Sequence, residues 1–205
     1  MSVYTKTTIC NMALSHCGIG SFISDIDTDD TNEAIQCRLW YEPSRDTLLE
    51  MMPWSFAQDE VQATLLAVDP NYRWKFSYLY PNDVKRINGI IDPYKRRPER
   101  IEDKIEFEVK RAPSGNGKVI YTDQEDAIFD VNFWVTDESQ YSDVYAVGQS
   151  LLIATYISKP LRVKASIKVD IANDWTTWLS EAQIQHKSER EDGAEAPSQF
   201  EQIRG

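Results

Sequence analysis

The chain has 205 residues and a formal net charge of −11, from 33 Asp and Glu against 22 Lys and Arg, and 41% of it is hydrophobic. That length holds one ordinary domain, or one domain carrying an insertion, with apolar residues enough for a substantial core. The acidic balance argues against a general nucleic-acid binder, whose affinity needs clustered cations on the phosphates; it permits a surface that DNA passes without sticking, and equally an ordinary acidic monomer, so charge alone decides little.

The opening MSVYTKTTICNMAL lacks the basic start and the continuous apolar stretch of an export signal. With 3 cysteines, an odd number, the expectation is free thiols in a reducing compartment. No apolar run approaches the ~20 residues that span a bilayer.

Residues 5–17 predict a short helix with Ile9, Met12, Ala13 and His16 or Cys17 on one side, stopped by Gly18 and Gly20. Residues 21–30 predict a loop. The stretch 31–57 predicts one long helix that ends at Pro53. Asp30, Thr31 and Glu33 start it, and Ile35, Cys37, Leu39, Trp40, Tyr41, Leu48, Leu49 and Met52 form its apolar stripe. Pro43 lies inside and should kink or split it. Trp54 and Phe56 alternate as a strand would place them.

The period then changes. Phe56–Val68, Trp74–Tyr80, Val84–Ile91, Ile105–Val109, Val119–Tyr121 and Ile128–Val135 carry β-favouring residues, several in alternation. Ser114-Gly115-Asn116-Gly117 predicts a hairpin connection, since Asn and Gly tolerate positive φ. Helices resume after Thr136. Asp137, Glu138 and Ser139 are capping material, followed by a stripe of Tyr141, Val144, Tyr145, Leu151, Leu152 and Ile157. Ser158-Lys159-Pro160 breaks it. A last helix is expected over Leu161–Lys187, with Leu161, Ala165, Ala172, Trp175, Trp178 or Leu179, and Ala182 on its face.

The reading is therefore α+β: a four-helix bundle-like domain (1–53 and 137–187), an inserted β-rich domain (54–136) and an extended C-terminal tail (188–205). Trp40, Trp175 and Trp178 help fill the helical core. The tail is polar and cannot bury enough apolar area to offset its ordering entropy. Phe200 and Ile203 are the apolar anchors it offers.

Motifs of chemistry are scarce. The 2 histidines, His16 and His186, are far apart in sequence. No nucleophile elbow, Walker loop or dinucleotide fingerprint is present. Gly18-Ile19-Gly20 follows a helix, so it reads as a stop. Cys10 and Cys17 lie seven apart on one helical face, too far to share a zinc, and read as buried structural thiols. Asp25, Asp27 and Asp29 raise a calcium loop, but its sixth and twelfth positions are Asp30 and Gln36 rather than Gly and Glu, which leaves a solvated turn. Lys95, Arg96, Arg97 and Arg100 form the one dense basic cluster. It reads first as a solvated loop balanced by Glu99, Glu102 and Asp103, and second as a contact for DNA or an acidic partner. No carboxylate pair stands out, so neither enzyme nor cofactor is expected.

In order, the chain carries Asn11, Ala13, Leu14 and Gly18; Ala34, Arg45, Asp46, Pro53, Trp54, Phe56 and Ala57; then Tyr80, Pro81 and Asp83. That succession, over about residues 7 to 90 and again at Ile120–Asp123 and Ile157–Leu161, resembles the bacteriophage head-to-tail adaptor family, which includes the tail tubular protein A of T7-like phages. Pro43 departs from that family's continuous central helix. The resemblance implies a helical domain with a β domain inserted. It implies a dodecameric ring between the portal protein and a downstream tail or nozzle protein, in the neck of the virion. DNA would pass through the channel unbound during ejection. It also implies a portal contact by a terminal segment, here Phe200, Ile203 and Arg204. Two other readings are weighed against a ring subunit. One is a monomeric assembly factor of the neck that is not retained in the virion; the other is a hydrolase or nuclease using the carboxylates at 25–30.

Overall fold

The computed structural model describes residues 4–94 and 104–191, with side chains described as far as Ile184. The fold is α+β, with four α-helices and two antiparallel sheets among the described residues. The chain divides into two compact units, Met1–Ser44 with Tyr141–Gly205, and Arg45–Gln140.

The helical unit starts with α1 (Lys6–His16), capped by Thr5, whose side chain accepts from the Thr8 N–H. Its end is a Schellman turn. Gly18 takes φ +68, and the Ile19 and Gly18 N–H groups donate to the Leu14 and Ser15 carbonyls. The buried face is Ile9, Cys10, Ala13 and Leu14, followed by Cys17, rather than the expected side with Met12. Helix α2 (Asn32–Met51) runs unbroken through Pro43 and across the unit boundary. Pro43 does not split it because it lies on the exposed side. The carbonyl that it leaves without an N–H belongs to Leu39, which is also exposed, so water can serve it. Just beyond, Ser44 Oγ and Gln149 Nε2 both donate to the Tyr41 carbonyl.

The buried line of α2 is Ala34, Cys37, Tyr41, Ser44 and Leu48, at spacings of three and four. This corrects the expected stripe, since Ile35 and Leu39 point to solvent at 47% and 61% exposure.

Helix α3 (Asp143–Ile157) is buried nearly all round and forms the centre of this unit. Its cap is Ser142, which accepts from the Tyr145 N–H, and Asp137–Ser139 instead close a short 3-10 turn, Glu138–Gln140. Helix α4 (Ala165–Glu191) begins four residues later than expected and runs past Ser188 into the segment expected to be tail. The chain between α3 and α4 turns through Ser158–Arg162, with Arg162 at φ 55. Helix α4 buries Ile171, Trp178 and Ala182, whereas Ala165 and Ala172 are exposed.

Of the three tryptophans, Trp178 is in the core. Trp175 stacks on it at 5.0 Å, and Trp40 stacks on Tyr156 at 4.5 Å. Trp178 rests on α3 where Gly148 leaves room, and its indole N–H donates to the Val144 carbonyl at 2.9 Å.

The β unit holds β1 (Gln58–Gln62), β2 (Leu65–Asn71), β3 (Trp74–Leu79), β4 (Val84–Ile91), β5 (Phe107–Arg111), β6 (Lys118–Thr122) and β7 (Ile128–Phe133). One sheet has the order β1-β7-β4 and the other β2-β3-β6-β5. The turn at Ser114–Gly117 joins β5 to β6 with Gly115 at φ +85 and Gly117 at φ +81. Trp54 and Phe56 are not in a strand. They sit in a turn, where the Ala57 and Gln58 N–H groups donate to the Trp54 carbonyl. Tyr78, Ile87, Ile120, Phe129 and Val131 lead the core of this unit, with Phe129 set edge-on to Tyr78 at 5.9 Å.

Candidate functional site

The carboxylates of the 25–30 loop hold the loop's own backbone. Asp25 Oδ1 accepts from the Asp27 N–H at 3.1 Å, and its Oδ2 accepts from the Thr28 hydroxyl at 2.9 Å. Asp29 Oδ1 accepts from the Thr31 N–H, which holds its carboxyl below the usual carboxylate range. Thr31 then caps α2 through the Ala34 N–H, while Arg38 donates to the carbonyls of Ile26 and Asp29. The loop is built as a helix entry.

His16 is half-buried, with Nε2 3.2 Å from Ser150 Oγ. Burial lowers its pKa, and the Asp174 carboxylate opposes that. This resembles a nucleophile–base pair only in outline. The Ser150 hydroxyl donates to the Val147 carbonyl at 2.7 Å, and Ser150 is fully buried, so no substrate reaches it. Among the described residues no group of three His, Cys, Asp or Glu side chains could hold a metal ion.

All 3 cysteines are free and buried, and they converge in the helical unit. Cys10 of α1 meets Cys37 of α2. That hydrogen bond and burial push the Cys10 thiol up, and burial pushes Cys17 up to about 11. Such thiols form little nucleophilic thiolate at neutral pH. Native protein at pH 8 is therefore expected to resist a thiol-labelling disulfide reagent, with all three groups reacting once urea unfolds it. Rapid labelling of native protein would contradict this placement.

The end of α2 is the most elaborate polar construction in the β unit. Pro53 ends the helix without a glycine cap, and side chains receive its last carbonyls instead. Trp54 Nε1 donates to Leu48 O at 2.7 Å. Asn132 Nδ2 of β7 donates to Leu49 O and Met52 O at 3.0 and 2.7 Å. Arg86 of β4 donates to Glu50 O and Met51 O at 3.1 and 2.7 Å.

Beside it, Asp46 accepts from Arg45 Nε at 2.9 Å, Lys85 Nζ at 2.7 Å and Trp134 Nε1 at 3.1 Å. Both cations lie over the Trp134 ring. Burial alone would raise the Asp46 carboxyl, but hydrogen bonds from Lys85 and Arg45 outweigh it and set it below its ordinary value. A depressed folded pKa means stability that is complete above the unfolded value of about 3.9 and lost as pH falls through the folded value. Asp46→Asn is therefore expected to lower the urea midpoint at pH 7, with the deficit closing as pH falls below about 4. A deficit that persists unchanged in acid would remove the charge argument.

What remains for a partner is apolar surface. On the helical unit Phe22, Ile35, Leu39, Val169 and Ile184 are exposed. On the β unit Leu65, Leu66, Val68 and Leu79 are exposed on adjacent strands β2 and β3, with Tyr72 in the turn between them. Sequence periodicity assigned Ile35 and Leu39 to the core. Only burial separates these two from Cys37 and Tyr41. Lys95, Arg96, Arg97 and Arg100 lie outside the described residues, as do Phe200, Ile203 and Arg204. Among the described residues no helix is long and apolar enough to cross a membrane. No protein-family model matches the chain, and no curated protein matches it.

Proposed function

We propose that the chain is a structural head-to-tail adaptor of a tailed bacteriophage. It forms a dodecameric ring below the portal protein, extends the DNA channel and carries a downstream tail protein on its other side. It is made in the host cytoplasm and retained in the virion neck. It holds no cofactor and performs no catalysis. In this reading the four helices make a bundle-like domain and the β-rich part is an insertion within it.

The observation that carries the proposal is the exposed aliphatic residues that adjoin one another, Ile35 and Leu39 one turn apart on α2 and Leu65, Leu66 and Val68 on one strand. Aliphatic side chains adjoining in this way favour cover by another chain. The ordered motifs from Asn11 to Asp83 supply the kind of assembly. Two of those motifs do scaffold work here, since Asn11 ties α1 to Ile23 through both its amide atoms and Asp46 gathers Arg45, Lys85 and Trp134. At −11 the chain offers DNA phosphates few cations to hold them. A repeated contact around a ring gains avidity, so each one can be weak.

The test is electron microscopy of the protein mixed with portal, where a ring seated on the portal is expected. Lack of association, or absence of the chain from purified particles, would favour a transient assembly factor and reject the proposal. Deleting residues 190–205 is expected to leave a folded subunit that no longer joins portal. Unchanged joining would reject the contact assigned to Phe200, Ile203 and Arg204. A mainly basic channel would reject the passage of DNA over an acidic lining.

A further inference from the structure

A second basic stretch lies at the turn from α3 to α4. Between Asp143 and Asp170 the chain carries Lys159, Arg162, Lys164 and Lys168 and no Asp or Glu. The cluster at Lys95–Arg100 is denser, but Glu99, Glu102 and Asp103 are mixed into it. From Lys159 to Val169 the polar side chains are the four cations and the Ser166 hydroxyl. Every one of them donates hydrogen bonds, and none is a carboxylate or a carboxamide.

The backbone draws these groups together. The Arg162 N–H donates to the Lys159 carbonyl at 3.1 Å, and the Val163 N–H donates to the Ser158 carbonyl at 3.0 Å. The Lys168 N–H donates to the Lys164 carbonyl at 3.1 Å, so these two lysines are neighbours one turn apart. Lys159, Arg162, Lys164 and Ser166 are exposed, and Lys168 is half-buried. From Lys159 to Lys168 no large apolar side chain is exposed; the first is Val169.

Counting the acids of the packed elements leaves the turn positive. Gly18 lies against Ile167, and residues 1–24 carry no Asp or Glu. Trp40 of α2 stacks on Tyr156 near the end of α3, and the acid on that side of α2 is Glu33. On α4, Asp170 and Asp174 follow, and the Asp174 charge acts on His16. Among the described residues none of these acids forms an ion pair with the four cations. The cations also crowd the positive end of the α4 dipole, where α2 and α3 carry Glu33 and Asp143 instead. Such a break of a local rule, with no compensating contact in the chain, is expected at functional positions.

We propose that the α3–α4 turn binds the phosphate backbone of nucleic acid, without regard to base sequence. Lys164 and Lys168 rise about 6 Å apart, which suits successive phosphates along a strand rather than a single anion. A protein partner fits less well, because the centre of such an interface is apolar and the stretch Lys159–Lys168 exposes no large apolar side chain. The net charge of −11 does not cancel the turn, since salt screens charges beyond about 8 Å. The inference goes beyond the adaptor reading and stands without it. In a ring, one such contact per copy would gain by avidity.

Anisotropy of a labelled mixed-sequence duplex, titrated with the full chain at several salt concentrations, tests it. Weak binding is expected at low salt. Its logarithm should fall against log salt with a slope of about −3 to −4 per subunit, the value for four phosphate contacts. The double variant Lys164→Gln, Lys168→Gln should flatten that slope by about 2, and Lys159→Gln, Arg162→Gln should do the same. Changing Lys95, Arg96 and Arg97 to glutamine should leave it as it is. A loss in that triple variant as large as in the doubles would overturn the proposal, as would no binding at low salt. Tighter binding of polyglutamate than of the duplex, lost in the same doubles, would also overturn it and assign the turn to an acidic protein. Duplex binding by a chain that never joins portal would keep this inference and reject the adaptor reading.

Discussion

Replacing Gly148 with alanine is expected to destabilise the protein by about 2–3 kcal/mol, the range of overpacking a core site together with a strained hydrogen bond. A Cβ at Gly148 would lie 2.0 Å from Trp178 Cζ2 and 2.5 Å from Cε2, in the body of a ring that cannot bend away. The ring must slide, and it is held by the Val144 carbonyl at 2.9 Å and by the Trp175 face at 5.0 Å. The sign is informative. In an open helix position, glycine to alanine stabilises by about 0.5–1 kcal/mol. A stabilised variant in urea unfolding would therefore show that Trp178 does not sit on this notch. Shortening the partner as well, Gly148→Ala with Trp178→Leu, should cost less than the sum of the two single changes, since both act on one contact.

The second large effect is at Asn132. Asn132→Leu keeps the branched skeleton of four side-chain heavy atoms, though with bulkier methyl groups, and removes the donors to the carbonyls of Leu49 and Met52, at a side chain that is fully buried. Each buried carbonyl left without a donor costs about 1–3 kcal/mol, so a loss of about 3 kcal/mol is expected. Arg86, itself half-buried, serves the neighbouring carbonyls of Glu50 and Met51 through hydrogen bonds open to solvent, where water can replace it. Arg86→Ala should therefore cost under about 1 kcal/mol. If the two changes cost the same, burial is not what makes the Asn132 contacts matter.

Local pattern made much of this fold legible. Val84–Ile91 is a strand over the residues that its composition marks, and Ser114–Gly117 is the hairpin turn that Gly and Asn require. Gly18 stops α1 through the positive φ expected of it. The failures are all matters of tertiary context. Ile35 and Leu39 fit a helical period as well as Cys37 and Tyr41 do, yet nothing covers them within the described residues. Trp54 and Phe56 alternate like a strand, but the Trp54 indole is drawn back to the Leu48 carbonyl, which forces a turn. Helix α4 could not be read past Ser188, because its polar end carries no apolar stripe.

The contacts among candidate site residues were mostly out of reach of sequence. Cys10 and Cys37 are 27 positions apart and share no motif. His16 and Ser150 meet across 134 positions, Gly148 and Trp178 across 30. Spacing rules see only neighbours on one element, so pairs made by packing α1, α3 and α4 together leave no periodic trace. The edge strand β2 was different. Its leucines and valine were read as β-favouring, but an outer strand and an inner one share that composition, and only the sheet order tells them apart.

The side-chain cap on α2 bears on the order in which the protein is made. The carbonyls of Leu49 and Met52 wait for an amide 80 or more positions downstream. During synthesis, the final turn of that helix leaves the ribosome long before Asn132 does. Until β7 arrives, those two carbonyls can be satisfied only by solvent, and the last turn is held by Trp54 on the Leu48 carbonyl and by Arg86 on those of Glu50 and Met51. Such a distant closing bond makes folding of this unit a late, nearly all-or-none event. A nascent chain truncated before β7 should show faster amide exchange in that last turn than the full chain does.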